Sequence, residues 1–351
     1  MPSTLPTLAI TAGDYAGVGP ELSLAAAAAP RFQDQCRLLI FGNPRVLARC
    51  ADQLQLPMPP IVDSNDLRCH SADELPHRGV VDCKIAGNGP PINTPPFDAA
   101  ALIPGRWTAY TGRESYDNLI AAIDTALANT VDGIVTGPIQ KEAWAAAGIT
   151  FPGHTEVLAQ RCAAENGQQS VRMMLAGEHC RVVLVTVHVP LQQVSGMLSQ
   201  EAILETIDQT DRSLMPILQR RPRIAVLGLN PHAGESGLFG NEEISIIEPA
   251  IAAAISGGYD VKGPLPPDTA FTPSARQRFD AHVCMYHDQG LIPLKALSFD
   301  DGINVTLGLT IRRSSVDHGT AMDLAWQGTA STASMFAAIQ WQIDHPRTMP
   351  H

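Results

Sequence analysis

No run in this sequence approaches the roughly 18 apolar residues that a membrane-spanning helix needs, which argues against a helical membrane protein. Basic charge is also short. Against 35 Asp and Glu there are only 24 Lys and Arg, a net charge of −11, and the cations are scattered. This is not the profile of a nucleic-acid or anionic-membrane binder, although a few local cations can still serve a small anionic ligand. Residues 1–6 offer neither the basic stretch nor the apolar core of a signal peptide, so a cytoplasmic protein is expected. There is no C-x-x-C pair among the seven cysteines, Cys36, Cys50, Cys69, Cys83, Cys162, Cys180 and Cys284. Their odd number points to reduced thiols rather than a disulfide frame or a thiolate zinc site.

What is present is a chain of 351 residues, 45% of them hydrophobic, enough for about two domains at roughly 150 residues each. Glycine and proline number 28 each, well short of the roughly 25–30% that marks low-complexity sequence, and read as turns between many elements. Short apolar runs rich in β-branched residues, at 8–11, 37–41, 133–136, 182–187, 224–229 and 283–286, read as buried, mostly parallel strands. Stretches with helical spacing, at 115–129, 156–165, 201–219 and 242–256, lie between them. The alternation predicts an α/β fold with helices on both faces of a sheet. Residues 53–104, with scattered prolines and weak periodicity, read as irregular connections and a hairpin, and 25–29 as a helix turn.

Three histidines each sit just past one of these strands: His188, His232 and His287. Ligands in open α/β sheets bind at the carboxyl ends of strands, so the three imidazoles could converge on one divalent metal, with zinc the first expectation. The alternative is that each caps a strand end, since no H-E-x-x-H or similar motif ties them together. Gly153-His154-Thr155-Glu156 opens a helical stretch, a geometry suited to an oxyanion or to plain capping. The turn Thr136-Gly137-Pro138-Ile139-Gln140-Lys141 could form another pocket wall or simply a sharp strand exit.

Lys295, Asn304 and Arg313 follow at intervals of nine within otherwise apolar or glycine-rich sequence. The lysine and arginine could neutralise a carboxylate or phosphate, or lie on the surface. Asp268 and Asp288 could orient ligands or form turns. The glycine-rich strand-to-helix turn at 11–21 is not G-x-G-x-x-G, so a Rossmann fingerprint is missing.

Seven ordered blocks give these residues a common context: GDYAGVGPE at Gly13, TGPIQK at Thr136, PGHTE at Pro152, GLNPHAGE at Gly228, GPLPPDT at Gly263, MYHDQGLIPLK at Met285, and NVTLGL then RRSSVDHGTAMDLA from Asn304. Together they resemble the 4-hydroxythreonine-4-phosphate dehydrogenase family of pyridoxal phosphate biosynthesis, over nearly the whole chain. The first and last blocks are similar to those of isopropylmalate and isocitrate dehydrogenases. The resemblance implies an isopropylmalate dehydrogenase-like, non-Rossmann α/β fold with a mostly parallel central sheet. It also implies two domains, with 1–135 and 300–351 on the cofactor side, 136–299 holding the metal and the dimer contact, and the active site in the cleft.

By resemblance, the metal ligands are His188, His232 and His287, and the substrate contacts are His154, Thr155, Lys295, Asn304 and Arg313. Similarity to the isopropylmalate enzymes assigns His318, Gly319, Thr320, Ala321 and Asp323 to the adenosine part of NAD or NADP. A homodimer with an active site shared between subunits is implied, as is one divalent metal per site, zinc first, with magnesium or cobalt as alternatives. The family usually carries Pro where this chain has Tyr15, Pro at Thr310, an apolar residue at Arg312 and Gly near Trp326. Tyr15 and Arg312 could therefore reshape the pocket, and Trp326 the packing behind the cofactor loop.

The implied reaction is metal-assisted hydride transfer from 4-phosphohydroxy-L-threonine to NAD(P), followed by decarboxylation. Lys295, Asp268 or a metal-bound hydroxide could take the proton, with Asp288 beside the site. Relatives acting on D-threonate or D-erythronate 4-phosphate keep the same residues. A branch that oxidises aromatic dihydrodiol carboxylates is disfavoured by His154 and Thr155. Two further readings stay open: a zinc hydrolase, and a binding protein that has lost turnover.

Overall fold

The computed structural model describes residues 5–63, 67, 75–83, 98–163 and 170–345. They form two compact units, Met1–Gln169 with Leu309–His351, and Ser170–Gly308. In the first, strands β1 (Thr7–Thr11), β2 (Arg37–Phe41), β3 (Ile61–Asp63), β4 (Arg78–Asp82), β5 (Gly133–Thr136) and β12 (Arg313–Val316) lie in the order β3-β4-β2-β1-β5-β12. Every pairing among them is parallel. In the second, β6 (Arg172–Ala176), β7 (Arg181–Leu184), β8 (Ile224–Leu227), β9 (Val261–Leu265), β10 (Ala281–Cys284) and β11 (Ile303–Leu307) lie in the order β11-β6-β7-β10-β8-β9. Here β6 runs antiparallel to both β11 and β7, and the remaining pairs are parallel.

Buried residues run without alternation through β1, β2, β5, β8, β10 and β12, as expected of strands covered on both faces. All six expected strands form. The expected helices appear as Ala109–Leu127, His154–Arg161, Gln200–Leu218, and a π-turn Glu243–Ile247 that continues as Glu248–Ser256. Helix starts follow local chemistry: Asn43 accepts from the Arg45 amide ahead of Pro44–Leu54, and Thr108 with Thr111 closes a capping box on Ala109–Leu127. The hairpin expected within 53–104 is corrected. Strands β3 and β4 pair in parallel, Val62 opposite Val81, so no two-residue turn can join them. Residues 64–66, 68–74 and 84–97 lie outside the described ones, and so does Cys69.

The division between the units also falls elsewhere than at 135/136 and 299/300. Segment 136–163 packs with the first unit, where Trp144 Nε1 donates to Ser115 Oγ at 2.8 Å. Gly112 lets helix Lys141–Ala146 come so close that a Cβ there would lie 2.3 Å from the Ala143 carbonyl. Segment 300–308 joins the second unit through β11, paired along its length with β6.

Tyr15 and Trp326 belong to one buried cluster with Ala12, Leu24, Ile40, Val46 and Val80. The Trp326 indole donates to the Tyr15 carbonyl at 3.1 Å, and the Tyr15 hydroxyl accepts from the Asn43 amide and, at 2.7 Å, from Asn118 Nδ2. Trp326 is left-handed, φ 59°, with Gln53 donating to its carbonyl and the Arg49 guanidinium 5.3 Å from its ring. The Arg312 guanidinium donates to the Gln342 carbonyl in helix Ala333–Asp344, while Arg313 on the next position turns to Thr136.

Asp14, fully buried, accepts from the Ala16 amide at 2.9 Å and the Thr111 hydroxyl at 3.1 Å. Burial outweighs these bonds and pushes its carboxyl from 3.8 up to about 6. Between those values the native protein holds a proton that the unfolded chain has lost, so this group's contribution to stability falls as pH rises, by about 3 kcal/mol in all. Asp14→Asn is therefore expected to gain stability over the parent between pH 4 and pH 7, measured by denaturant unfolding. A stability difference between variant and parent that does not change with pH would contradict this.

Candidate active site

In the first unit, β12 lies beside β5 with Ser315 opposite Thr136 and Arg313 opposite Ile134. From there the Arg313 side chain reaches along the strand, Nε and Nη2 donating to Thr136 Oγ1 at 3.1 and 2.8 Å. Only 4% of Arg313 is exposed. Burial lowers its guanidinium to about 10, with Glu156 acting in the opposite sense, so it stays cationic at neutral pH. The chain leaves β5 through a turn and enters helix Lys141–Ala146. Helix His154–Arg161 follows, and the His154 ring lies edge-on to Trp144 at 5.9 Å.

Burial, and then the Arg313 and Lys141 charges, hold His154 well below the usual imidazole range. The ring is neutral, and its Nε2 is buried without a hydrogen-bond partner. Two cations and an unsatisfied imidazole nitrogen thus meet at the start of an eight-residue helix, with Thr155 half-buried beside them. The charge and the missing partner both suit an anion. Lys141 and Thr136 were visible in sequence only as members of a turn.

The loop after β12 holds the residues assigned to a dinucleotide. The Thr320 carbonyl accepts from the Val18 amide at 2.9 Å and its hydroxyl donates to Gln140 Oε1 at 2.8 Å. A Cβ on Gly17 would lie 2.6 Å from the Thr320 carbonyl oxygen, so the glycine-rich turn is what lets this loop seat. His318, Gly319 and Asp323 are exposed on it, and Ala321 is left-handed with φ 40°.

The three histidines belong to the second unit. His188 and His287 lie with ring centroids 5.7 Å apart. Two imidazoles on one tetrahedral zinc would place their centroids about 5 Å apart, so this pair fits a shared ion. Asp288 Oδ1 sits 2.7 Å from His287 Nδ1, an arrangement that fixes the ring and turns Nε2 outward. His232 is exposed in the turn Pro231–Gly237, 6.1 Å from the Phe239 ring. Among the described residues no three His, Cys, Asp or Glu side chains form a metal-binding group. One chain therefore offers two of the three expected ligands in contact.

The His232 turn has an unusual backbone. Residues 232–236 have φ of 52°, 53°, 76°, 42° and 57°, and only Gly234 lacks a Cβ. Each such residue costs roughly 1–2 kcal/mol, so the turn must be held by its surroundings. Glu243, 1% exposed, does this: Oε1 accepts from the Leu229 and Asn230 amides at 2.7 and 2.8 Å, and Oε2 from Asn230 Nδ2 at 2.9 Å. Neither Glu243 nor Gln289 was singled out from the sequence, because nothing local links them to the histidines.

Lys295 lies two turns beyond His287 on helix His287–Leu297, its ammonium 5.7 Å from the Phe299 ring centroid. Asn304 is half-buried on β11 opposite Leu175, and Asp268 is exposed in the turn after β9. Replacing Arg313 by Lys keeps the charge and loses the fork that holds Thr136. Calorimetric titration with a phosphorylated hydroxy acid should then show binding roughly tenfold weaker or more; unchanged affinity would remove Arg313 from the anion pocket.

Residues 34–342 match the family described as pyridoxal phosphate biosynthetic protein PdxA. A protein of Desulforapulum autotrophicum named 4-hydroxythreonine-4-phosphate dehydrogenase is 44% identical, covering 97% of this chain and 95% of its own. The D-threonate 4-phosphate dehydrogenase of Pectobacterium atrosepticum is 38% identical, covering 95% and 97%. The crystal structure of 4-hydroxythreonine-4-phosphate dehydrogenase from Klebsiella pneumoniae superposes with a TM-score of 0.83 at 37% identity, covering 98% of this chain and 100% of that one. With matches of this extent, the chain belongs to the PdxA family of pyridoxal phosphate biosynthetic proteins.

Proposed function

We propose that the protein oxidises 4-phosphohydroxy-L-threonine with NAD or NADP to 2-amino-3-oxo-4-phosphooxybutyrate, which loses carbon dioxide to give 3-amino-2-oxopropyl phosphate. The observation that carries this reading is the start of helix His154–Arg161, where the buried Arg313 guanidinium and the charge of exposed Lys141 act on a neutral His154 whose buried Nε2 has no partner. There, Arg313 neutralises an anionic end of the substrate, and His154 and Thr155 donate hydrogen bonds to the same group. Lys295 and Asn304 contact the remainder of the substrate, and Lys295 or Asp268 receives the proton of the reacting hydroxyl. His318, Gly319, Thr320, Ala321 and Asp323 hold the adenosine part of the dinucleotide.

A divalent ion held by His188, His232 and His287, zinc in the first place or else magnesium or cobalt, would polarise the reacting hydroxyl, while the nicotinamide supplies the hydride acceptor. His287 is fixed for ligation by Asp288. The β-keto acid formed loses carbon dioxide readily, since the ketone accepts the electron pair of the breaking bond.

A homodimer with a shared site is part of this reading. One chain brings only His188 and His287 together, so a second copy's histidine completes the set. Leu191, Met197, Leu238 and Phe239, near His188 and His232 in sequence, are exposed apolar residues that such a partner would cover. Phosphorylated metabolites and nicotinamides are cytoplasmic, which supports a cytoplasmic location.

Oxidation of D-threonate or D-erythronate 4-phosphate is the second reading, favoured by the D-threonate 4-phosphate dehydrogenase relative. The zinc-hydrolase alternative has no counterpart in the names of the relatives compared. A panel of the three phosphorylated acids, each with NAD and NADP, is expected to generate reduced nicotinamide fastest from 4-phosphohydroxythreonine, and His188→Ala to abolish it. Turnover confined to the sugar acids would assign the chain to the second reading; hydrolysis without reduced nicotinamide would overturn both.

A further inference from the structure

We propose that Glu243, together with Gln289, is a positioning residue that fixes where the His232 turn stands against the His188 and His287 segments of the same chain, and so how each chain presents its histidines to an ion shared with a second copy. The proposal rests on the metal-site reading above. Gln289 is 7% exposed and bridges two strand exits: its Oε1 accepts from the Met285 amide, and its Nε2 donates to the Gly228 carbonyl, both at 2.7 Å. Met285 lies two residues before His287, and Gly228 opens the segment that leads to His232. One buried amide thus locks the approach to one histidine against the approach to another.

Glu243 takes over where Gln289 stops. Its carboxylate gathers the Leu229 and Asn230 amides and the Asn230 side chain. It also lies over Gly234, where a Cβ would come within 2.6 Å of Oε2. Those contacts brace the entry to the left-handed run that carries His232 and its middle. Glu242, next in chain, accepts from the same Asn230 amide group and from Ser195 Oγ, each at 2.7 Å. Ser195 lies in helix Leu191–Met197, which begins three residues after His188. A continuous ladder, Ser195–Glu242–Asn230–Glu243 and then Gly228–Gln289–Met285, therefore joins the segments of His188, His232 and His287. Glu243 lies in a π-turn, a backbone irregularity frequent at functional sites.

A carboxylate that merely stabilised the fold would affect the metal-free protein and the metal-bound protein alike. A positioning carboxylate acts on ligand geometry, and the affinity for the ion reports it. The test uses the full-length protein stripped of metal, titrated with Zn²⁺ in competition with a chromophoric chelator, alongside its metal-free melting curve. Glu243→Gln keeps one oxygen for the two amides and turns an amide against Asn230 Nδ2. It is expected to weaken Zn²⁺ binding by roughly 10–100-fold, more than the accompanying drop in the metal-free melting curve accounts for. Adding Ser236→Gly, an exposed position at φ 57° where glycine is unstrained, should restore part of the affinity.

Zn²⁺ affinity of Glu243→Gln within twofold of the parent, while His188→Ala, His232→Ala and His287→Ala lose binding, would overturn the positioning role and leave the metal site standing. Histidine variants that bind as the parent does would overturn the metal site, and the positioning role with it. A melting-curve loss that accounts for the whole affinity loss would make the ladder structural only. Should Glu243→Gln not fold, Asn230→Ala, which removes one donor and the link to Glu242, carries the same expectations.

Discussion

A guanidinium withdrawn from water costs several kcal/mol unless its charge is answered, and Arg313 is withdrawn almost completely. Its neighbours in the first unit are arranged around that constraint. Thr136 takes two of its N–H groups, Glu156 lies near enough to raise its proton affinity, and His154 responds by staying neutral. Lys141 adds a second cation to the same place. In the reading proposed above, an anionic ligand takes its place beside these cations. The parallel pairing of β5 with β12 is what brings Thr136 and Arg313, 177 residues apart, within hydrogen-bond distance.

The parts of this arrangement that could be read in the sequence are those with a local signature. The strands behind His188, His232 and His287 are apolar and β-branched, so the position of each histidine past a strand end was visible, and His154 stood at an evident helix start. Strands β6 and β12 escaped, because Arg172-Met-Met and Arg313-Ser-Ser carry no such signature and are buried by their neighbours instead. The same limit hid Glu243, which binds amides 13 and 14 residues away, and Gln289, whose acceptor Gly228 is 61 residues distant. Arg312 was expected near the pocket, but adjacent strand positions point to opposite faces and its side chain meets the terminal helix.

The two residues that the resemblance singles out as departures, Tyr15 and Trp326, pack together, indole against carbonyl. A tryptophan in the left-handed region is strained unless packing compensates, and Arg49, Gln53 and Tyr15 supply that packing. Tyr15 and Trp326 lie in the turn and loop that the dinucleotide reading invokes; the Val18 amide donating to the Thr320 carbonyl joins the same two segments, and the Thr320 hydroxyl ties the loop to Gln140 after β5.

Gly112 has no functional group, yet it sits beneath the anion pocket. The absence of one methyl group there lets helix Lys141–Ala146 rest directly on helix Ala109–Leu127, and that short helix carries both Lys141 and the Trp144 ring against which His154 lies. The pocket's charge spacing is therefore governed by a backbone-to-backbone distance. A side chain at residue 112 would push on the Ala143 backbone and so shift Lys141 and Trp144 together.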